Sequence, residues 1–365
     1  MPAGTPATGE GRCRVADPGL GHGAAGFHRH HEDSGGRVSP LATATRRVAA
    51  DLGGTHTRLA IHDAARNEFR YQQTFLNRDF ADFEAVLQYW LQDIDEPTPE
   101  TACFAVAALI RGDQVRMTNR DWSFSCRALA SRFGFRALAV LNDFEAHAYA
   151  LPWLAASEVV TLQAGAGEVT QGRLAVLGPG TGLGGALLEG RGATARAIAC
   201  EPGHMNLAPG TPELLALWPQ LVARYGRVYV ELLLSGSGLA RLHEARSQHE
   251  HGAAVPLEPA DITRLALTGE DAECARTVAV FCALLGDLCA DFILATGAWG
   301  GLYLAGGILP RITPLLQESP FLERLRDRGP LAGALGAVPV RLIQHSSPGL
   351  LGAAHAPLTG IVPKP

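Results

Sequence analysis

Apolar residues follow two spacings along this chain, and together they predict alternating strands and helices from about residue 47 onward. Continuous apolar runs at Thr101 to Ile110 and Leu138 to Leu141 are typical of buried strands. Apolar residues spaced three and four apart predict an amphipathic helix between Phe80 and Ile94 and a longer one between Val278 and Phe292. The pattern predicts these elements but not the order in which the strands pair.

Interruptions of this pattern mark the remaining segments. Residues 244–260 are polar, which predicts a surface loop. Near the end of the chain, the pattern predicts a strand at Val338 to Ile343 and then a closing helix. Residues 1–46 are rich in Gly, Ala, Pro, His and Arg without any periodicity, which predicts a disordered extension. Three histidines in that extension could bind a transition metal, but a solvated tail is the favoured interpretation because chelation would have to order it.

Composition and charge narrow the class of protein. A chain of 365 residues suggests two domains of ordinary size, and a net charge of −5 gives no general attraction to nucleic acid or an anionic membrane. The seven cysteines are scattered and lack CxxC spacing, which favours a reducing compartment over a disulfide or zinc framework. No apolar run is expected to reach the length of a membrane span, because Asp287 and Asp291 interrupt the best candidate, and no apolar signal core begins the chain. The expected location is therefore the cytoplasm.

The most distinctive stretch is VLGPGTGLGGALL, from Val176 to Leu188, which predicts a strand, a glycine turn and a second strand. Glycine allows positive φ and a close approach to a ligand, and successive N–H groups in such a turn can bind phosphate. The segment lacks the Gly-Lys-Ser/Thr of a Walker loop and the following helix of a dinucleotide fingerprint. By itself, a tight hairpin without any ligand is the more common interpretation.

A second glycine hairpin is predicted at RVAADLGGTHTRLAIHD, where Gly53 and Gly54 separate two short strands. Its tip, which includes Thr55, is another candidate for binding an anion. Asp51 precedes the turn, where its carboxylate could face Mg²⁺ through water.

Polar side chains occur at further junctions between elements. Asp143 follows a strand and begins a helix, where Asp is most often an N-cap, although open α/β sheets also bind ligands at the carboxyl ends of strands. Glu201 and His204 flank a Pro-Gly turn that suits recognition of hydroxyl groups. Glu231 stands among apolar residues and needs a partner, because burying an unpaired carboxylate is costly. The glycine pair at residues 306–307 would let a flat ligand lie on bare backbone.

Seven segments of the chain, taken in order, resemble the bacterial glucokinase family in the sugar-kinase branch of the actin-like ATPase superfamily. They are DLGGTHTRLAI, LNDFEAHAYAL, LGPGTGLGGALL, CEPGH, ELLLSGSGL, LYLAGGILPRI and PGLLGAAH. The resemblance covers the chain from about residue 47 to its end. Seven motifs in the right order are far more specific than any one of them.

The resemblance implies an α/β protein with the two-domain actin-like ATPase fold, which is ribonuclease H-like and has a deep interdomain cleft. The small α/β domain would hold residues 47–153 and 345–365, and the large one residues 154–344, preceded by the extension of residues 1–46. The implied activity is transfer of a phosphoryl group from ATP to the 6-hydroxyl of glucose with Mg²⁺. The implied partners are glucose and ATP, without nucleic acid or membrane, and relatives suggest a homodimer.

Matching positions carry the family's roles over to this chain. Asp143 would be the catalytic base, which suits a hydroxyl nucleophile that must lose its proton. The sugar-binding residues would be Asn142, Asp143, Glu201, His204 and Glu231. The ATP-binding residues would be Asp51, Leu52, Gly53, Gly54, Thr55, Gly178, Gly180, Thr181, Gly182, Gly306 and Gly307, with Asp51 approaching Mg²⁺ through water.

The chain departs from the family's usual pattern at several positions, and two of them lie in the loops expected to bind glucose and phosphate. Pro202 stands where the glucose loop usually has Gly, and it should push Glu201 toward extended conformations. His56 stands where the first hairpin usually has Asn, which could alter contacts to phosphate or metal. Three alternatives stay open: a kinase of another hexose, a sugar-sensing regulator without turnover, and an actin-like ATPase with a protein partner.

Overall fold

The computed structural model describes residues 45–118, 120–166 and 172–358. The extension predicted for residues 1–46 therefore lies almost wholly outside the described residues, and Arg46 already belongs to the first strand. The strands are β1 (Arg46–Leu52), β2 (His56–Asp63), β3 (Glu68–Leu76), β4 (Thr101–Val106), β5 (Ala108–Arg111), β6 (Gln114–Met117), β7 (Ser123–Ser125), β8 (Ala137–Asn142), β9 (Val159–Gln163), β10 (Leu174–Pro179), β11 (Leu183–Glu189), β12 (Arg196–Cys200), β13 (Gly301–Leu304) and β14 (Val340–Ile343). The α-helices are α1 (Phe83–Gln92), α2 (Cys126–Phe133), α3 (Asp143–Ala150), α4 (Pro212–Tyr225), α5 (Val230–Leu233), α6 (Gly236–His251), α7 (Pro259–Thr268), α8 (Ala272–Thr296), α9 (Thr313–Glu318), α10 (Phe321–Arg326), α11 (Ala332–Gly336) and α12 (Pro348–His355).

Two large mixed sheets have closely similar strand orders. One runs β3-β2-β1-β4-β8, and the other runs β12-β11-β10-β13-β14-β9. In each, an antiparallel hairpin (β1 with β2, and β10 with β11) is extended by two parallel strands on one side and an antiparallel strand on the other. The second sheet has a further edge strand, β9, which pairs antiparallel with β14. The two glycine turns predicted from the sequence are the tips of these equivalent hairpins. A small sheet of β5, β6 and β7 is hydrogen-bonded to neither, and its Val115, Met117 and Phe124 pack in the apolar core of the first sheet.

Helix α3 packs against both large sheets. Ala146 belongs to an alanine-rich apolar cluster with β1, β4 and α12, whereas Ala148 and Leu151 pack with β10 and β11. The small side chains allow this double packing, and α12 crosses so closely that a Cβ on Gly352 would overlap the Ala146 carbonyl oxygen. Helix α3 is thereby fixed between the two large sheets.

Most predicted elements are confirmed, and two predictions are wrong in extent. The apolar run Thr101 to Ile110 is not one strand, because it breaks at Ala107 and continues as β5 in the small sheet. The loop predicted for residues 244–260 is shorter, because α6 continues to His251, Gly252 ends it in the left-handed conformation, and α7 begins at Pro259.

The expectation about membrane spans also needs a correction. Among the described residues, α8 is long and apolar enough to cross a membrane by length and composition, although 72% of its most apolar window is buried inside the protein. Its interrupting carboxylate Asp287 is bound by Arg324 at 2.9 Å and Arg328 at 3.2 Å, which satisfies the charge within the fold. Helix α8 is accordingly the central core helix beside the second large sheet.

Candidate active site

A cavity of about 780 Å³ brings residues from both large sheets to one surface, within the range usual for small-molecule sites. The predicted site residues that line it are Gly53, Gly54, Asn142, Asp143, Gly178, Gly180, Thr181, Gly182, Glu201, His204, Glu231 and Gly306. The other four, Asp51, Leu52, Thr55 and Gly307, are absent from its lining. Leu52 is instead buried in the apolar core of the first sheet, so its side chain is structural.

Asp143 lies at the junction of β8 and α3, as predicted, but it is not the N-cap. Asn142 caps the helix: its Oδ1 accepts a hydrogen bond from the Phe144 N–H at 2.9 Å, and its own N–H donates to Glu145 Oε2 at 3.0 Å. The carboxylate of Asp143 also accepts from the Phe144 N–H at 3.0 Å through Oδ1. Its Oδ2 has no donor among the described residues, which leaves that oxygen for a ligand.

The environment of Asp143 makes it a stronger base than an ordinary aspartate. Burial raises the pKa of Asp143 to about 6, helped by the carboxylates of Asp51 and Glu201 and opposed by the backbone N–H of Phe144. A carboxyl group with this pKa is still mostly ionised at neutral pH, yet it holds a proton more readily than usual. These are the properties of a general base.

Asp51 lies close to this surface without lining it. Burial raises the pKa of Asp51, and Arg58, whose Nη1 lies 3.5 Å from Asp51 Oδ2, acts in the opposite direction. On its other side, a Cβ on Gly349 at the start of α12 would lie 2.8 Å from the carboxyl carbon. Asp51 is thus held between β2 and α12, and its charge still acts on Asp143.

The loop that follows β12 carries two exposed polar residues of the site, Glu201 and His204. Pro202 begins a short 3₁₀ turn ending at His204, and Glu201 adopts φ −118° and ψ 60°, short of the extended conformation that we expected. The buried Pro202 ring packs on Gly185 of β11, where an added Cβ would lie 2.8 Å from Cγ. His204 stacks on Tyr229, with ring centroids 5.8 Å apart and planes 13° from parallel.

Glu231 finds its predicted partner in the backbone of the second hairpin. Its Oε2 accepts a hydrogen bond from the Leu183 N–H at 2.7 Å. The same carboxylate lies against the bare Cα atoms of Gly182 and Gly203, where an added Cβ would crowd it. The carboxylate therefore joins the Glu201–His204 loop to the glycine turn.

The hairpin tips offer a small set of free backbone donors. In the first tip the Gly53 N–H closes the turn on His56 at 3.0 Å, and in the second the Gly180 N–H donates to the Gly182 carbonyl at 2.7 Å. The N–H groups of the remaining tip residues have no acceptor among the described residues; they belong to Gly54, Thr55, Thr181 and Gly182. Each tip thus has two adjacent N–H groups available to an anion.

The glycines of these tips were expected to permit positive φ, and that reason is wrong for most of them. Among the predicted ATP-binding glycines only Gly306 has positive φ, at +94°. A Cβ on Gly178 would overlap the Ala305 carbonyl, and one on Gly306 would overlap the Pro179 carbonyl. Close packing of the ends of β10 and β13 is therefore what requires glycine at these two positions.

Sequence reasoning missed several residues of the site. His147, one helical turn after Asp143, lines the cavity, and its Nδ1 is buried without a partner among the described residues. Burial lowers the pKa of His147 to about 4, so the ring is neutral. Phe144 covers Gly184. The spacing of four from Asp143 was the available signal for His147, because such residues share a helix face.

Comparisons with known proteins point to one family. A family model described as Glucokinase matches residues 48–359. The glucokinase of Cupriavidus pinatubonensis is 40% identical over 323 residues, which cover 87% of this chain and 93% of that protein. The solved glucokinase from an Antarctic psychrotroph is 38% identical with a TM-score of 0.78, covering 85% of this chain and 98% of that one. A ROK family glucokinase from Streptomyces griseus, solved in complex with glucose and AMPPNP, is 18% identical with a TM-score of 0.55, covering 85% and 98%, and shares the fold.

Proposed function

The chain belongs to the glucokinase family, and from that membership we propose which of its residues carry out the reaction. The reaction is transfer of a phosphoryl group from ATP to the 6-hydroxyl of glucose. One observation carries the assignment of roles: Asp143, with its raised pKa, lines the same cavity as both glycine tips and the Glu201–His204 loop. Acceptor, donor and base can therefore meet in one place.

The acceptor sugar is held by Asn142, Asp143, Glu201, His204 and Glu231 in this proposal. Capping occupies Asn142 Oδ1, so its Nδ2 remains a donor to a hydroxyl. One oxygen of Glu231 is bound to the backbone, which leaves the other for the sugar. A site that hydrogen-bonds several hydroxyl groups discriminates strongly, because an analogue without one leaves a polar group unpaired.

Asp143 takes the proton of the 6-hydroxyl as the new bond to phosphorus forms. Its free Oδ2 and its pKa of about 6 support this role. The proton moves to a carboxylate that accepts it more readily than an ordinary Asp, and general bases of this kind contribute about 10²–10⁴-fold.

The phosphates of ATP lie against the two hairpin tips. The free N–H groups of Gly54, Thr55, Thr181 and Gly182 are the proposed donors, with Gly53, Gly178 and Gly180 as the bare backbone around them. Gly306 and Gly307 lie toward the adenosine. Such donors are fixed before the reaction, so they stabilise charge on the transferring group without reorganising.

Mg²⁺ is proposed to bind through water at Asp51. The donor set fits this ion, since it prefers carboxylate oxygen and keeps several waters. The charge of Asp51 also contributes to the raised pKa of Asp143, a repulsion that a divalent cation would offset. When bound, the ion would neutralise charge on the phosphates.

We propose the actin-like two-domain arrangement for the whole chain. Residues 47–153 with 345–365 would form the small domain and residues 154–344 the large one, on either side of an interdomain cleft. The support is the similar strand order of the two sheets and the packing of α12 on the first of them. A cytoplasmic location and a homodimer also stay proposals, which fractionation and sedimentation would test.

The decisive experiment measures glucose 6-phosphate formation from ATP, Mg²⁺ and glucose for the parent protein and for Asp143→Asn. We expect kcat to fall about a hundredfold or more while glucose binding persists, because the amide cannot accept the proton. Asp327→Asn is the control, since that exposed carboxylate lies outside the cavity. If Asp143→Asn turns over as fast as the parent, the assignment of the base is wrong.

A panel of hexoses addresses the alternatives. The five proposed sugar contacts predict the highest kcat/KM for glucose, and a higher value for mannose, fructose or an N-acetyl sugar would make this chain a kinase of that hexose. A parent protein that binds glucose but never turns over would instead be a sensor.

A further inference from the structure

One buried side chain, Asn77 at the end of β3, holds the backbone of the first hairpin tip. Its Nδ2 donates to the Gly53 carbonyl at 2.8 Å and to the Gly54 carbonyl at 3.2 Å. Its backbone N–H donates to the Thr55 carbonyl at 2.9 Å. Three consecutive carbonyl groups of the tip therefore accept hydrogen bonds from a single residue.

The direction of these carbonyl groups determines the direction of the free donors. In a trans peptide the C=O and the following N–H lie in one plane and point in opposite directions, and the described peptides are trans. Holding the carbonyls of Gly53 and Gly54 toward Asn77 turns the N–H groups of Gly54 and Thr55 away from it. Those are the two N–H groups of this tip that have no acceptor among the described residues.

Asn77 is itself fixed on every side. Thr57 Oγ1 donates to its Oδ1 at 2.8 Å, which orients the amide so that Nδ2 faces the tip. Arg120 Nη2 donates to its backbone carbonyl at 2.7 Å, and that guanidinium lies over the Trp122 ring at 4.6 Å. Asn77 is 0% exposed and is absent from the lining of the cavity. It therefore acts on a ligand only through the tip.

We propose that Asn77 is a positioning residue for the phosphoryl donor, because it orients the Gly54 and Thr55 N–H groups toward the phosphates of ATP. The inference rests on the proposed function of this cavity and assigns a role to a residue outside it. Donors that are fixed in advance do not lose freedom when the nucleotide binds, and that is the source of the expected affinity.

The test compares Asn77→Asp with the parent. The substitution keeps the size and the backbone N–H of residue 77 but removes both Nδ2 donors, so the two carbonyl groups are released. We expect KM for ATP and Kd for Mg-AMPPNP to rise about tenfold, while KM for glucose changes by less than about twofold. Titration calorimetry gives the Kd without requiring turnover.

Gln163→Glu is the matched control. Gln163 is also buried and donates through its amide to two backbone carbonyls, those of Leu335 at 2.9 Å and Val338 at 2.6 Å, but in the second sheet and away from the cavity. The control should lower the unfolding temperature without changing either KM. A residue with a merely structural role would behave like this control.

Thr57→Val supplies a milder second variant in case Asn77→Asp does not fold. It leaves both Nδ2 donors present but frees the amide to rotate, so Kd for Mg-AMPPNP should rise about two- to fourfold. Unchanged nucleotide affinity in both folded variants, or equal losses for ATP and glucose, would overturn the inference. A parent that binds Mg-AMPPNP but does not phosphorylate glucose would overturn the proposed function instead. The Kd values for Mg-AMPPNP would still show whether Asn77 positions the tip.

Discussion

At the scale of single residues, the glycines of the second hairpin serve more than one purpose. The tip around Thr181 presents free N–H groups, as the sequence indicated. The glycines that follow make room for side chains: Gly182 faces Glu231, Gly184 faces Phe144 and Gly185 faces Pro202. A glycine-rich motif therefore describes the packing of the proposed sugar site as much as a proposed phosphate-binding turn.

The contact between Gly185 and Pro202 predicts a coupled pair. Gly185→Ala should displace the Pro202 ring, and with it the loop that carries Glu201 and His204, so KM for glucose should rise about tenfold while KM for ATP stays within about twofold. Adding Pro202→Gly should restore much of the loss. A double-mutant cycle on KM for glucose measures the coupling, and strictly additive effects would show that the ring does not position the loop.

The raised pKa of Asp143 has a consequence for stability. Because the folded state holds the proton more tightly than the unfolded chain, the carboxylate destabilises the fold once pH rises above its usual pKa, and the penalty is complete above about 6. Asp143→Asn should therefore raise the unfolding temperature at pH 7.5 by about 2 °C or more while lowering kcat about a hundredfold or more.

Thermal unfolding at several pH values checks this expectation. The stabilisation should shrink as pH falls from about 6 toward 4, where the parent carboxyl group is itself protonated. A variant that is less stable than the parent at pH 7.5 would contradict it.

At the scale of elements, helix α3 depends on small residues more than on amphipathic pattern. It carries alanines toward both large sheets, so neither face is polar in the usual way. Its capping box of Asn142 and Glu145 fixes where the helix begins, which in turn fixes the direction of Asp143. The direction of the Asp143 side chain, the proposed base, is thus set by the start of α3 and by the packing of α12.

The crossing of α3 and α12 predicts a large effect from a small change. Gly352→Ala places a methyl group into the Ala146 carbonyl, so the helices must separate, and we expect the unfolding temperature and kcat to fall together. Gly333→Ala in α11 is the control, because a Cβ there meets nothing within 4 Å and Ala favours helix. Denaturation and activity measured side by side decide the matter; equal behaviour of the two variants would disprove the close crossing.

At the scale of the whole molecule, the two described histidines with the most depressed pKa values make the pH dependence of stability opposite in sign to that of Asp143. Burial lowers the pKa of His147 to about 4, and burial together with the charges of His62 and Arg47 lowers the pKa of His355 to about 4. His355 stacks on Trp153 at 3.7 Å and meets His62 edge-on at 4.6 Å. Protonating these rings favours the unfolded chain.

These histidines should therefore contribute to the free energy of unfolding above about pH 6.5, and this contribution should be lost as pH falls toward 4. His355→Gln should reduce this loss, because glutamine has no proton to gain, whereas the exposed His249→Gln should leave it unchanged. Unfolding curves between pH 7.5 and 4.5 (a window set by these pKa values) provide the measurement. Identical slopes for both variants would exclude His355 as the cause.

The sequence by itself determined most of the elements, the two glycine hairpins and the identity of half of the residues on the cavity wall. These features are local, because apolar spacing, a glycine turn and a strand-to-helix junction each depend on a few consecutive residues. The seven motifs, taken in order, indicated the family by resemblance. Roles for Asp143, Glu201 and Glu231 could therefore be proposed from the resemblance before any coordinate was known.

Only the tertiary structure decided how these residues are held. It showed that Asn142 rather than Asp143 is the cap, that several glycines face side chains, and that Asn77 holds a turn more than 20 residues away. It also revealed two sheets of similar strand order, which local sequence patterns do not predict. The physical reason is that burial, charge and the direction of a hydrogen bond depend on residues distant in the chain, and these become neighbours only on folding.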